Sequence, residues 1–229
     1  MKLSYKYRIY PNKEQEEIIL KNFNFCRFLY NSSLQERKSY YKKYGKSRTY
    51  VEQASFLSDI KTEFSTQTET IFSQSLQSTL KQLDSAYSNF FRRVKNRKDS
   101  EKPGFPRFKS NDRFNSLCFP QSDFTDFGVK LTNNKLKIFG IPGLVKIEYH
   151  RPFEGRCKRI IMKKHADKYY VVLSCDDVPQ TSVERAGNEK RRMVRGCTVV
   201  SRQLSRPRGR SKMSGDHGVL GDKIARKVS

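Results

Sequence analysis

Leu3-Ser4-Tyr5-Lys6-Tyr7-Arg8-Ile9-Tyr10-Pro11-Asn12-Lys13-Glu14-Gln15 is the stretch whose reading decides the fold. Leu3, Tyr5, Tyr7 and Ile9 alternate with Ser4, Lys6 and Arg8, the period of a strand with one apolar and one basic face. A lone strand is not stable, so its partners must come from later in the chain. Pro11-Asn12 then opens a helix, with Asn12 as N-cap and Gln15 at the capping-box position. Ile18 and Ile19 supply its apolar side. Asn22-Phe23-Asn24 reads as a turn, with a second helix from about Phe25 to Tyr44. Two helices about a tight turn make a helix-turn-helix-like pair.

The next stretch repeats the capping signal: Thr49 and Glu52 precede Ala54, Leu57, Ile60 and Phe64. Phe72, Leu76, Leu80, Leu83, Tyr87, Phe90 and Val94 then keep a spacing of three or four, the stripe of a long amphipathic helix. It runs into Arg92, Arg93, Lys95, Arg97 and Lys98, more cations than a helix end needs. Pro103-Gly104 and Pro106 stop the helical half. From about Phe114 the texture is that of strands. Leu136 and Ile138 alternate with Lys135 and Lys137; Val145, Ile147 and Tyr149 alternate with Lys146, Glu148 and His150. Arg159 to Met162 and Tyr169 to Leu173 form a hairpin around Ala166-Asp167-Lys168. If the first strand joins this sheet, the helices are an insertion between strand one and the rest, and the class is α+β.

The chain has 229 residues and a net charge of +24, far beyond what solubility asks for. Such charge implies a polyanionic partner. No lipidation signal or long apolar run points to a membrane, and the N-terminus lacks an apolar signal core. The five cysteines are scattered singly with no C-x-x-C pair, which fits a reducing cytoplasm and excludes a zinc ribbon within this sequence. His150, His165 and His217 have no ligand partners at useful spacing, and Asp176-Asp177 has no third carboxylate with a supporting motif. No catalytic residue, metal or cofactor is expected. After Pro179 the composition changes: Phe and Tyr vanish, Arg displaces Lys, and apolar periodicity fades. A natural disordered tail has this texture. So does a frame shift or recombined gene end, which the abruptness of the change favours.

Four blocks in this order resemble the transposon-encoded TnpB (OrfB) proteins: Tyr7-Arg8-Ile9-Tyr10-Pro11; Cys26-Arg27-Phe28-Leu29-Tyr30-Asn31; Ser75-Leu76-Gln77-Ser78-Thr79-Leu80 running to Phe90-Phe91-Arg92; and Gly104-Phe105-Pro106-Arg107-Phe108-Lys109. Leu136 to Pro142, Val145-Lys146 and His150-Arg151-Pro152 continue the pattern. The resemblance covers roughly residues 3 to 178. It implies a wedge-type (OB-like) β-barrel from residues 1–11 and 112–179, and a helical recognition lobe from residues 12–111. Residues 180–229 would be an Arg-rich, disordered or frame-shifted tail. It also implies guide RNA and double-stranded DNA as partners, and a cytoplasmic, nucleoid-associated protein. The family's RNase H-like nuclease would begin just after Val178, and its G-I-D-L-G-like strand and zinc ribbon are not in this sequence. The expectation is therefore a remnant that binds without cutting. The alternative is an endonuclease component whose catalytic half is another chain.

The candidate nucleic-acid contacts are Lys6, Arg8, Arg27, Tyr50, Gln77, Arg92, Arg93, Lys95, Arg107, Phe108, Lys109 and Arg151. Cations at this density suit phosphates, and Phe108 offers a stacking face. A glutamine such as Gln77 can read adenine in the major groove; a plain polar helix face is the competing reading. Arg92, Arg93, Arg107 and Lys109 flank the Pro103–Pro106 junction, where a groove between helices and sheet is expected.

Overall fold

A computed structural model describes residues 1–96, 103–120 and 128–179. The expectations for Arg97, Lys98 and everything after Pro179 lie outside these residues.

The opening stretch is a strand, β1 (Leu3–Tyr10), with Tyr5, Tyr7 and Ile9 buried and Lys6 exposed. One helix follows, α1 (Lys13–Tyr44), capped as expected: the Gln15 N–H donates to Asn12 Oδ1, and the Asn12 N–H donates to Gln15 Oε1. Lys42 and Lys43 lie in its last turn, and Gly45 closes it in the left-handed region at φ 66°. Three short helices come next, α2 (Tyr50–Ser55), α3 (Leu57–Glu63) and α4 (Ser65–Thr68). Then α5 (Ser73–Lys95) buries Leu76, Leu80, Leu83 and Tyr87 along the stripe.

The turn expected at Asn22-Phe23-Asn24 is absent: α1 runs unbroken for 32 residues. Asn22 is buried, and its amide bonds to Thr70 rather than to its own backbone. The local tendency of asparagine to make turns is thereby cancelled. The helix expected through Ala54, Leu57, Ile60 and Phe64 is in turn broken into α2, α3 and α4. Phe56 and Phe64, at the two breaks, leave α3 and α4 without side-chain caps.

After a single 3-10 turn at Asn111–Arg113 come β2 (Ser116–Pro120), β3 (Val129–Thr132), β4 (Lys135–Ile138), β5 (Val145–Glu148), β6 (Arg156–His165) and β7 (Lys168–Asp176). They form one seven-stranded sheet with β1, in the order β2-β6-β7-β1-β5-β4-β3, and every pairing is antiparallel. The first strand thus sits at the centre of the sheet, and the helices are inserted between it and β2. The β6–β7 hairpin turns through Ala166 (φ 46°) and Asp167 (φ 57°), the left-handed pair that a two-residue turn requires.

The sheet curls. Phe72, at the start of α5, touches Phe119 on edge strand β2 and Phe139 just after β4, at ring separations of 6.2 and 5.6 Å. Gly128, next to the other edge strand β3, packs against Phe119 and Phe72 so tightly that a Cβ there would overlap the Phe119 ring. The two edges therefore approach each other across one aromatic side chain. Helices and sheet share a single core, with Ile19, Leu34 and Leu80 in the same cluster as Tyr7, Leu136 and Leu173. Polar ties fix α1 on the sheet. Gln15 Nε2 donates to the Pro142 carbonyl, and the Tyr169 hydroxyl donates to Glu16.

Candidate nucleic-acid interface

Alternation on β1 buries Tyr5, Tyr7 and Ile9 and leaves Lys6, Arg8 and Tyr10 on the solvent face. The antiparallel register extends that face sideways. Arg8 stands opposite Tyr170 on β7 and Glu148 on β5, and Tyr170 stands opposite Lys163 on β6. Tyr10 stands opposite Lys146, which stands opposite Lys135. The result is a basic sheet surface with two tyrosines set into it. Lys6 Nζ lies 3.8 Å from the Tyr170 ring centre, and the Arg8 guanidinium lies 4.8 Å from that of Tyr10. These contacts hold cations and rings together at the surface.

Glu148 sets an acid within this face. Glu148 accepts a hydrogen bond from the Tyr10 hydroxyl at 2.8 Å, and that bond raises the Tyr10 phenol above its ordinary value. Lys135 and Lys146 face each other directly and, among the described residues, neither has an ion-pair partner. Like charges in that position destabilise a sheet, and an anion laid across them relieves the repulsion.

A second basic region lies at the end of α5. Arg92, Arg93 and Lys95 are exposed; Arg93 donates to the Gly104 carbonyl at 3.2 Å, and Arg92 to Asn89 at 3.0 Å. These two arginines and residues Gly104 to Pro106 line a cleft of about 380 Å³. Arg107 and Phe108 are exposed beyond it. Lys109 is pinned through its backbone: its N–H donates to Asn31 Oδ1 at 2.8 Å, and its carbonyl accepts from Asn31 Nδ2 at 3.0 Å. Asn31 closes the second motif block and Lys109 closes the fourth, so this exchange locks the two blocks together. Lys38, from α1, lies 4.3 Å from the Phe108 ring centre.

The remaining candidates are dispersed. Arg27 is half-buried on α1, with one weak bond to Asn24 at 3.4 Å and a buried Nε without an acceptor. Tyr50 packs on the core with Lys81 5.7 Å from its ring centre, and Gln77 is exposed on α5. Arg151 sits 5.1 Å from the ring centre of Tyr5, whose side chain points away from the Lys6–Arg8 face. It therefore does not join Lys6 and Arg8. The sequence reading missed Tyr10, Lys135, Lys146, Lys163 and Tyr170 as members of one surface. Each shows the period-two alternation, but alternation alone does not say which strands are neighbours.

Among the described residues no group of three or more His, Cys, Asp or Glu converges as a metal site, and no helix is long and apolar enough to cross a membrane.

Comparison with known proteins agrees with the motif blocks. Residues 1–46 match the helix-turn-helix domain of IS605-type OrfB proteins. That match is of sequence; in the fold the same residues are β1 and the continuous helix α1. The chain is similar to "Putative RNA-guided DNA endonuclease InsQ" of Escherichia coli strain K12, 29% identical over 183 residues. A second relative, "Putative RNA-guided DNA endonuclease" of Streptomyces pristinaespiralis, is 26% identical over 183 residues. These matches cover 79% and 77% of this chain and 42% of each relative, so the chain spans about two-fifths of their length. A solved structure, "Cryo-EM structure of CRISPR-Cas12f Ternary Complex", is 16% identical with a TM-score of 0.43, covering 74% of this chain and 42% of that one. The chain is homologous to the TnpB-type RNA-guided endonucleases over 79% of its length.

Proposed function

We propose that residues 1–179 bind nucleic acid, holding a guide RNA against double-stranded DNA as a TnpB-like protein does. In this reading the curled sheet is the wedge-type barrel and α1 to α5 are the recognition lobe. The observation that carries it is the sheet face on which Lys6, Arg8, Lys135, Lys146 and Lys163 surround Tyr10 and Tyr170. Cations there take phosphates, and the tyrosine rings offer stacking faces to unpaired bases. Arg92, Arg93, Lys95, Arg107, Phe108 and Lys109 form the second contact, and Arg27, Tyr50, Gln77 and Arg151 contribute locally.

We further propose that these residues capture nucleic acid without cutting it. Hydrolysis by two metals needs several convergent carboxylates. Among the described residues no three acids, histidines or cysteines converge, and several acids are held in separate contacts: Asp84 with Arg37, Asp176 with Lys158, Glu16 with Tyr169 and Glu148 with Tyr10.

The test is affinity for a DNA duplex and for an RNA hairpin as a function of salt. With about six phosphates contacted, log K should fall against log salt with a slope of roughly −4 to −5. A flat response removes charge as the binding determinant and the proposal with it.

A further inference from the structure

We propose that the aromatic cavity beside Arg37 is a seat for one unpaired nucleobase. This rests on the nucleic-acid reading above and adds a subsite to it. The cavity measures about 300 Å³ and is walled by Arg37, Tyr41, Tyr87, Phe90, Phe91 and Phe105. That volume is at the lower end for small-ligand pockets. Its rings come from three segments. Phe105 meets Tyr87 edge-on at 5.5 Å and Phe90 at 5.1 Å, and Phe91 lies 6.3 Å from Tyr87. Tyr41, Phe91 and Phe105 remain 62%, 54% and 42% exposed, a cluster of large apolar side chains left open to solvent.

Arg37 makes this more than an apolar dent. Its side chain is 3% exposed. Its Nε donates to Gln53 Oε1 at 2.7 Å, and its Nη1 donates to Asp84 at 3.1 Å. Its Nη2 is buried and has no acceptor. A buried charged donor left unmade is costly. The guanidinium also lies over Tyr87, 5.1 Å from the ring centre.

The occupant must be flat and must present π-faces to the rings. It must also be attached to something anionic, because Lys38 stands at the same wall, 5.4 Å from the Phe105 ring centre. A nucleobase on its sugar-phosphate backbone meets these conditions. An aliphatic side chain would fill the space but offer the rings no π-face.

The experiment compares hairpins of equal length carrying one bulged guanosine, one abasic bulge or no bulge, in RNA and in DNA, against the full chain. The bulged guanosine should bind about tenfold more tightly than the abasic bulge, the modest end of base–aromatic stacking. The stronger of the RNA and DNA arms identifies which strand supplies the base. Tyr41→Ala with Phe91→Ala should erase the difference and leave abasic binding unchanged, since both rings are exposed and their loss should spare the fold. Equal binding of guanosine and abasic bulges in both arms overturns the seat but not the nucleic-acid reading. So does a preference that survives the double substitution. Absence of binding to every hairpin at moderate salt overturns both.

Discussion

Asn22 and Thr70, 48 residues apart, hydrogen-bond each other in both directions. Asn22 Nδ2 donates to the Thr70 carbonyl at 3.1 Å, and the Thr70 hydroxyl donates to Asn22 Oδ1 at 2.7 Å. The same Thr70 backbone lies against Gly140, which sits at φ 72° and where any Cβ would overlap the Thr70 carbonyl. One threonine therefore joins α1, the approach to α5 and the loop after β4. Asn22→Ala should destabilise the protein by about 1–2 kcal/mol, because it strands the Thr70 hydroxyl and carbonyl in a half-buried site. Gly140→Ala should cost more, since the overlap is with backbone and the conformation is left-handed. Urea denaturation of the two variants measures both effects.

The sheet face can be tested by charge removal. Lys6, Lys135 and Lys146 are exposed; replacing the three with Ala should leave folding intact, since exposed charges contribute little to stability. Removal of the Lys135–Lys146 repulsion should even help. Duplex affinity should fall more than tenfold at moderate salt, with a shallower salt slope. Unchanged affinity would move the contact surface elsewhere.

Arg92, Arg93, Arg107 and Lys109 form the other test set. The fold should again survive, because Lys109 is anchored through its backbone rather than its side chain. Replacing the four with Ala should weaken binding by more than an order of magnitude and flatten the salt slope. Combining this set with the sheet-face set should give the product of the two losses if both surfaces engage one ligand independently. Fluorescence anisotropy with a labelled hairpin reads all three variants.

Asp176 carries a pH signature. Lys158 Nζ hydrogen-bonds its carboxylate at 2.6 Å and holds it below the ordinary aspartate value. A carboxyl depressed in the folded state stabilises the protein above its unfolded pKa. That contribution is lost as pH falls through the folded value. Lys158→Ala should move the Asp176 pKa upward, and an NMR titration of the carboxyl carbon reports it directly. A titration that does not move would mean the pair is not formed in solution.

Cys26 should be chemically silent. It is fully buried on α1, and burial pushes its thiol up to about 12. Thiolate is the reactive form, so among the cysteines of the described residues alkylation at neutral pH should reach half-buried Cys118 on edge strand β2 first. Peptide mapping after brief iodoacetamide treatment distinguishes the two sites.

The sequence by itself determined what depends on near neighbours. The alternation of β1, the Asn12–Gln15 and Thr49–Glu52 capping boxes, the stripe of α5 and the β6–β7 turn are all set within a few residues, and all are present. The blocks shared with TnpB proteins were legible as well. Tertiary structure alone decided the rest. Asn22-Phe23-Asn24 stays helical because Thr70, far along the chain, satisfies the Asn22 amide. Lys6, Arg8 and Tyr10 share a surface with Lys146 and Tyr170 because β5 and β7 flank β1, a strand order that no local pattern encodes. Arg37 became a buried guanidinium with one idle donor because α2 and α5 close over it with Gln53 and Asp84. Period and capping are short-range, while partner choice between distant segments depends on which packing satisfies the buried polar groups.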